Sequence, residues 1–402
     1  MNKTVYIVDA IRTAIGKHAG TLKSVRPDDM AAVLIKEIVE RNFVKNNIPQ
    51  TEIEDVILGN ANGAGEENRN VARMCVLLAG LPIEVAGSTV NRLCGSGLQA
   101  VVDAARAISA GEGECFLSGG VESMTRAPFV FAKNDEPWGR KAEVYDTTLG
   151  WRFTNPKLAK LYHPFSMGET AENVAEKYKI TRERQDEFAY KSQMKTKNAI
   201  TSGKFKDEIV NVEVPSKKEV INFDTDEFPR FDTTIEKLST LKPAFRKDGT
   251  VTAGNSSGIN DGASLLMIAS EEFCRSHNLK PRARIVASAV AGVDPSHMGV
   301  GPVPATEKVL KRAGLKLSDI DLFELNEAFA SQSLACIDGL GLDENIVNVN
   351  GGAIALGHPL GSSGSRLLVT LLHEIEKQNK KTGLATMCIG VGQGIAAIIE
   401  KC

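Results

Sequence analysis

Short apolar runs alternate with amphipathic stretches along the first third of the chain. The runs TVYIVD, EDVILG and ECFLSG have the length of strands, and the stretches between them carry apolar side chains at helical spacing. The predicted strands are 4–9, 54–59 and 114–119, and the predicted helices are 27–44, 68–79 and 98–108. Strands that alternate with helices are typical of parallel βαβ units, so the pattern predicts an α/β fold.

The same order of elements recurs after residue 280, which predicts an internal duplication. A strand at 283–290 and a helix at 305–313 are followed by DIDLFELNEAF, a strand that runs into a helix at 328–336. NIVNVN and LATMCIG predict two more strands. Asn60 precedes Cys94 by 34 residues, and Asn326 precedes His358 by 32. Two similar halves packed about a pseudo-symmetry axis would bring Cys94 and His358 together.

Residues 122–250 differ in character from the segments on either side. They contain both tryptophans, charge-rich helical stretches and the turn-rich INFDTDEFPRFDTT. We expect a loop domain folded over the sheet edge, where α/β folds bind ligands, although a stabilising excursion would look similar. The predicted division is an N-terminal half of residues 1–121 plus 251–275, a loop domain of residues 122–250, and a C-terminal half of residues 276–402.

Composition and charge narrow the function classes. The 402-residue chain has a net charge of −2 and no basic tract interleaved with aromatics, so no nucleic-acid partner is expected. It has no apolar run of about 20 residues and no signal-peptide layout, which indicates a soluble protein that is not secreted. The seven cysteines are scattered without a CxxC pair. We therefore expect a reducing compartment, no disulfides and no metal site.

The segment STVNRLCGSGLQA places Cys94 between a predicted strand and a predicted helix. A free cysteine is more often a small core residue than a catalyst. Here Gly95 and Gly97 indicate a sharp turn that leaves the sulfur uncovered, and the following helix directs unpaired N–H groups toward it. Cys94 is therefore a candidate nucleophile. We expect the helix N-terminus and His358 to lower the pKa of its thiol.

Three further residues complete a candidate constellation. His358 lies in the glycine-rich GGAIALGHPLGSSG at the counterpart of the Cys94 elbow, which favours a general base over a structural histidine. Cys388 ends a buried-type strand before GVGQG, whose backbone N–H groups can converge on an oxyanion. Asn326 in LNEAFA has two equally good interpretations, a helix N-cap and a catalytic residue. A nucleophile, a base and a second thiol suit acyl transfer.

These motifs resemble those of the thiolase family over essentially the whole chain. NRLCGSGLQA is similar to the nucleophile segment, LNEAFA to the asparagine segment, NGGAIALGHPLGSSG to the histidine segment and CIGVGQG to the C-terminal cysteine segment. TVTAGNSSGINDGA and SMGETAENVAE resemble stretches that line the coenzyme A (CoA) channel. The resemblance implies a thiolase fold: two pseudo-symmetric βαβαβαββ halves in a five-layer α-β-α-β-α arrangement, with an inserted loop domain.

The resemblance also implies an activity and residue roles. The activity is cleavage of a 3-ketoacyl-CoA by CoA through a Cys94 acyl-enzyme, as in fatty acid β-oxidation, or the reverse Claisen condensation. His358 would activate Cys94 or the CoA thiol, and Cys388 would shuttle the α-carbon proton. One oxyanion hole would use His358 and a water held by Asn326, and the other the N–H groups of Cys94 and Gly390. The positions carried over for CoA binding are Arg230, Phe245, Ala253, Ser257 and Met167.

CoA is then a substrate, and no permanently bound cofactor or metal is implied. The resemblance further implies a homo-oligomer, either a dimer or a dimer of dimers (a homotetramer). The absence of a transit segment favours the bacterial cytoplasm, while a mitochondrial matrix location remains open.

Some positions depart from the pattern of short-chain biosynthetic members. Ser166 stands where many of them have histidine, and Val71 where many members have proline. With YDTTLGWRFTNPK, these features resemble degradative and 3-oxoadipyl-CoA type thiolases. Two rival functions stay open: a ketoacyl synthase-like condensing enzyme, which would resemble a Cys-His-His set, and a non-catalytic acyl-CoA-binding homologue. Cys388 in the third position argues against the first, and the intact constellation argues against the second.

Overall fold

The computed structural model describes residues 3–134, 136–217 and 219–402. The strands are β1 Val5–Thr13, β2 Gly16–Lys17, β3 Asp55–Gly59, β4 Ala86–Val90, β5 Cys115–Ser123, β6 Phe129–Phe131, β7 Val144–Asp146, β8 Ile209–Val210, β9 Val212–Pro215, β10 Val220–Phe223, β11 Asn260–Ser270, β12 Ala283–Gly292, β13 Leu322–Leu325, β14 Thr382–Ile389 and β15 Gln393–Lys401. The helices are α1 Pro27–Val39, α2 Val71–Ala79, α3 Ser96–Ala110, α4 Pro156–Leu161, α5 Met167–Tyr178, α6 Arg182–Thr201, α7 Ile235–Ser239, α8 Glu271–Ser276, α9 Pro302–Ala313, α10 Ala330–Leu340, α11 Ala353–Leu356 and α12 Leu360–Lys377.

The strand pairing confirms two equivalent halves. The main sheet has the order β13-β14-β15-β12-β1-β11-β5-β3-β4. In the N-terminal half, β3 pairs in parallel with β5, and β11 pairs antiparallel with both β5 and β1. In the C-terminal half, β13, β14, β15 and β12 repeat these directions. The halves join where β1 pairs with β12 through Tyr6–Arg284 and Ile7–Ala283.

Helices lie outside and between the two halves. Helices α1 and α2 cover the outer face of the N-terminal strands, and α9, with α10 beside it, covers that of the C-terminal strands. Helices α3 and α12 pack on each other and lie between the halves, with α12 contacting both β5 and β14. Buried apolar residues fill each of these interfaces. The result is the predicted α-β-α-β-α layering.

The central helix pair depends on close approach of two backbones. A Cβ atom on Gly97 in α3 would lie 2.6 Å from the carbonyl oxygen of Gly361 in α12 and 2.6 Å from Ser365 Oγ. The absence of a side chain at Gly97 therefore serves helix packing rather than the turn that the sequence suggested. Because each helix begins directly after an elbow, this contact fixes the two elbows next to each other.

One predicted strand is wrong. NIVNVN forms only an isolated bridge between Val347 and Phe323, preceded by a 3₁₀ turn at Glu344–Ile346. Asn348 has a φ of 45°, which interrupts the extended backbone. The Asn348 side chain makes the hydrogen bonds that a neighbouring strand would make to β13: it accepts from Leu325 N at 2.8 Å and donates to Leu325 O at 2.8 Å. A side chain thus substitutes for the outer strand of this half.

The other predicted elements are present with shifted ends. Strand β1 continues to Thr13, α2 begins at Val71 with Asn70 as its N-cap, and the predicted helix 27–44 changes to a π-helical turn at Glu40–Val44. In the middle segment, α5 and α6 pack against α10, and β8 pairs with β1. Among the described residues, no helix is long and apolar enough to cross a membrane.

Candidate active site

Cys94 lies on the elbow between β4 and α3. Leu93, directly before it, has a φ of 48°, a left-handed conformation that reverses the chain between strand and helix. Cys94 is half-buried, and the backbone N–H groups of Gly390 and of Cys94 itself point at its sulfur. The end of strand β14 packs closely against the elbow: a Cβ atom on Gly95 would lie only 2.6 Å from Ile389 Cδ1. The structure therefore brings Cys94 and Gly390 together.

A cavity of about 300 Å³ opens in front of Cys94. Its wall is built from the Cys94 elbow, the end of β14, the start of α5 and the loop 147–152. The lining residues are Ala61, Asn62, Leu93, Cys94, Glu122, Met124, Ala127, Thr147, Thr148, Leu149, Gly150, Trp151, Arg152, Phe165, Ser166, Met167, Leu360, Gly390 and Val391. Most of these side chains are apolar, as expected of a pocket for a carbon chain.

The expected depression of the Cys94 pKa is wrong. Burial raises the pKa of the Cys94 thiol to about 11, and the neighbouring Glu122 carboxylate acts in the same direction. The N–H groups of Gly390 and Cys94 favour the thiolate but do not compensate for the desolvation. In the resting protein near pH 7, Cys94 is therefore a thiol that must lose its proton during the reaction.

We expect alkylation of Cys94 by iodoacetamide to accelerate about tenfold per pH unit and to keep rising above pH 9, because only the thiolate reacts. Peptide mass spectrometry after timed quenching measures the rate at Cys94 separately from the exposed Cys402. A rate that levels off below about pH 8.5, the ordinary thiol pKa, would contradict the raised pKa.

His358 occupies the second elbow, between α11 and α12. Gly357 has a φ of 105°, and the His358 backbone N–H donates to Asn260 Oδ1 at 3.0 Å. The Ser363 hydroxyl donates to Pro359 O at 2.9 Å, so at 2.6 Å it accepts the proton of His358 Nδ1. This arrangement leaves Nε2 unprotonated. Burial lowers the pKa of His358 to about 3, so the imidazole is neutral and available as a base.

Asn326 lies against His358 and caps no helix. Its Nδ2 is 3.4 Å from His358 Nε2, while the N-cap of α10 is Phe329. Asn326 is fully buried, and its Oδ1 has no hydrogen-bond partner among the residues that the structure describes. A buried acceptor without a partner is costly unless a water or ligand satisfies it. The capping interpretation does not hold, and the unpaired oxygen can accept a hydrogen bond from a water or a ligand.

Cys388 is buried at the end of β14, two residues before Gly390. It packs with Met167, Met298 and Phe329 in a small apolar cluster. Burial raises the pKa of the Cys388 thiol well above its ordinary value, and a negative charge on Cys94 raises it further. Cys388 is therefore a protonated thiol within electrostatic range of Cys94.

The five positions assigned to CoA by resemblance divide into two groups. Met167 lines the cavity with Cys94, and the Phe245 ring packs on Gly168 and edge-on against Phe329. The Ser257 backbone N–H donates to Ala328 O, close to Asn326. Ala253 and Arg230 are exposed farther out, and the Arg230 guanidinium stacks 5.4 Å from the Phe228 ring.

Two cavity residues were not singled out from the sequence. Glu122 accepts from the backbone N–H groups of Ala61, Asn62 and Gly361, and burial raises its pKa to about 7. It therefore ties the two halves together behind Cys94. Arg152 reaches the cavity from the loop 147–152. Only the apolar context of Gly-Trp-Arg-Phe could have suggested that this arginine faces inward.

Comparison with known proteins gives matches over the full chain. The family model described as "Thiolase, N-terminal domain" matches residues 5–272, and "Thiolase, C-terminal domain" matches residues 279–401. The chain is 55% identical to the 3-oxoadipyl-CoA/3-oxo-5,6-dehydrosuberyl-CoA thiolase of Escherichia coli K12, covering 99% of this chain and 100% of the relative. An acetyl-CoA acetyltransferase of the same organism is 50% identical, covering 99% of both chains. The crystal structure of the Bacillus anthracis acetyl-CoA acetyltransferase superposes with a TM-score of 0.93 at 43% identity, covering 100% of this chain and 99% of that one.

Proposed function

This chain belongs to the thiolase family and is an acyltransferase with the thiolase fold, and we propose that its preferred substrate is 3-oxoadipyl-CoA. The 55% identity, over 99% of this chain, to a thiolase named for that substrate supports this choice. Thiolases of this kind cleave a 3-oxoacyl-CoA with a second CoA. The observation that carries the chemistry is the half-buried Cys94 thiol, which faces the Gly390 N–H at the cavity. The close contact of Gly97 with Gly361 holds its elbow next to the elbow that carries His358, and His358 in turn lies against Asn326.

In the first half-reaction, Cys94 Sγ attacks the C3 carbonyl carbon and its proton passes to His358 Nε2. The N–H groups of Cys94 and Gly390 stabilise the oxyanion. The C2–C3 bond then breaks, its electron pair remains on C2 as an enolate, and Cys388 protonates C2 to give acetyl-CoA. A water on Asn326 Oδ1, together with His358, stabilises the enolate oxygen. Cys94 keeps the succinyl group as a thioester.

In the second half-reaction, the thiol of free CoA attacks the acyl-enzyme carbonyl carbon. Its proton goes to Cys388, which gave one up in the first half-reaction. His358 returns its proton to the departing Cys94 sulfur, so both groups end as they began. Succinyl-CoA is the second product. Met167, Phe245 and Ser257 are the candidates beside the pantetheine, and Arg230 and Ala253 the outer ones.

We retain the domain division at 1–121 plus 251–275, 122–250 and 276–402, and a cytoplasmic location, which the bacterial sources of the relatives support. We also propose a homo-oligomer, a dimer or dimer of dimers. Leu77, Leu78 and Ile83 are exposed beside the edge strand β4, where a second copy would cover them. Light scattering that gives the single-chain mass of 43.2 kDa would contradict this.

The test of the substrate is a thiolysis panel with free CoA: acetoacetyl-CoA, 3-oxohexanoyl-CoA, 3-oxodecanoyl-CoA and 3-oxoadipyl-CoA. We expect the highest kcat/KM with 3-oxoadipyl-CoA. A maximum at 3-oxodecanoyl-CoA would indicate fatty acid β-oxidation instead. No turnover with any substrate would contradict the proposed activity and favour a carrier-protein or non-catalytic role.

A further inference from the structure

We propose that Arg152 is the specificity-determining residue of this enzyme and binds a carboxylate at the far end of the acyl chain. The inference rests on the proposed function and extends it to a binding site for a terminal anion. It starts from a side chain that the thiolase reaction itself does not use. Among the cavity-lining residues that the structure describes, Arg152 is the only cation.

The surroundings of Arg152 leave its charge without a protein counter-ion. In the described part of the chain it forms no ion pair, and its one hydrogen bond, from Nη2 to Asn62 Oδ1, is long at 3.4 Å. The side chain is half-buried beside apolar wall residues such as Leu149, Phe165 and Met167. A guanidinium has five N–H donors in a fork that matches a carboxylate, so most of its donors are available to a ligand.

The loop that carries Arg152 is held in place before any ligand binds. Asn62 Nδ2 donates to Thr147 Oγ1 at 2.9 Å, and that hydroxyl donates to Pro128 O at 2.6 Å. At the other end of the loop, the Trp151 indole N–H donates to Phe165 O at 3.0 Å. The anchors at Thr147 and Trp151 fix the segment that leads to Arg152, which reduces the entropy lost on binding.

The same cavity contains Cys94, the residue that receives the acyl group. In a 3-oxoacyl chain that ends in a carboxylate, the carbon attacked by Cys94 and the anionic end belong to one short segment. Asn62 links two ionisable side chains of this cavity, because its backbone N–H donates to Glu122 and its Oδ1 accepts from Arg152 Nη2. With its C3 carbonyl at Cys94 and its carboxylate on Arg152, a dicarboxylic monothioester would have a single orientation in the cavity.

The test compares two substrates of equal carbon number, 3-oxoadipyl-CoA and 3-oxohexanoyl-CoA, which differ in a carboxylate against a methyl group. For Arg152→Met, we expect kcat/KM with 3-oxoadipyl-CoA to fall about 100-fold, while the value with 3-oxohexanoyl-CoA stays within about 3-fold of wild type. Arg152→Lys keeps the positive charge but loses the forked guanidinium. Its kcat/KM with 3-oxoadipyl-CoA should lie between the values of the wild type and of Arg152→Met. Lys157→Met, which removes an exposed cation from the same segment outside the cavity, should change neither value.

A binding measurement separates this proposal from the proposed function. Adipyl-CoA and hexanoyl-CoA lack the 3-oxo group, so their C2–C3 bond cannot be broken, and in a Cys94→Ala background they cannot acylate the enzyme. In that background, with Arg152 or with Arg152→Met, calorimetry measures the contribution of the distal carboxylate to binding without catalysis. Tighter binding of adipyl-CoA that disappears in Arg152→Met supports the role of Arg152 even if 3-oxoadipyl-CoA is not turned over. A carboxylate preference retained by Arg152→Met, in turnover and in binding, overturns it while the proposed function stands. A wild-type protein with no carboxylate preference in either measurement overturns both the substrate choice and the Arg152 site.

Discussion

Replacing Cys94 with alanine is expected to lower kcat for thiolysis by at least about 10⁴-fold, the scale of removing a covalent nucleophile. The reason is that neither Cys388 nor Cys336 can replace Cys94 as the acceptor of the acyl group. Cys388 is buried beneath the elbow with a strongly raised pKa, and Cys336 is buried with a pKa raised to about 12. Steady-state thiolysis and intact-mass detection of a succinylated enzyme together measure the effect.

The matched control for this change is Cys402→Ala, which removes an exposed thiol at the far end of the chain. We expect wild-type rates in that variant and the same increase in intact mass on acylation. Cys94 contributes little to the core because it is only half-buried, so Cys94→Ala should keep the thermal unfolding midpoint close to that of wild type. A Cys94→Ala protein that retains more than about a hundredth of wild-type kcat would overturn the proposed mechanism.

The second large effect is expected for His358→Asn, with kcat lower by about 10³- to 10⁴-fold. Asparagine can keep a hydrogen bond to Ser363 but has no basic nitrogen to take the Cys94 proton. The loss combines a general base with an oxyanion donor, each of which contributes about 10²-fold or more. Because the Cys94 pKa is about 11, only a small fraction of Cys94 is thiolate near pH 7. The reaction therefore depends strongly on a base that removes the thiol proton.

The pH dependence of the same variant distinguishes a base from a structural histidine. Without His358, turnover should rise with pH in parallel with the thiolate fraction of Cys94, whereas a merely misfolded protein would show no such recovery. His277→Asn is the matched control, since His277 is hydrogen-bonded to Glu52 at the protein surface. A His358→Asn variant whose kcat at pH 7 is within tenfold of wild type, or whose kcat does not change with pH, would exclude His358 as the base.

The pKa values at the site show how environment reverses a local expectation. From the sequence, the helix N-terminus after Cys94 and a nearby histidine predict a thiolate. In the fold, Cys94 faces an apolar cavity, so desolvation outweighs the two N–H groups that favour the charge. His358 is neutral for the same reason. The pair therefore rests as thiol and imidazole, and in the proposed mechanism the proton moves when Cys94 attacks the substrate.

The sequence alone determined the features that depend on local pattern. Apolar runs and helical spacing predicted β3, β5, α3 and most other elements, because backbone conformation follows from side-chain periodicity over a few residues. The recurrence of the same pattern predicted the duplication and the two facing elbows. Four long motifs in order identified the family and its chemistry. The strand predicted at residues 345–350 is absent because Asn348 adopts a left-handed conformation and its side chain hydrogen-bonds to Leu325, a partner distant in sequence.

Only the tertiary structure decided the properties that depend on contacts between distant segments. Gly97 allows the contact with Gly361, and the cavity wall includes Arg152. Asn326, which lies against His358, has a side-chain oxygen without a hydrogen-bond partner in the described part of the chain. Each of these facts joins residues far apart in the chain, so no local pattern encodes it. Burial is likewise a property of the whole fold, and it sets the protonation of Cys94 and His358. The sequence therefore predicts which groups are present, and packing decides which of them are charged, paired or available to a substrate.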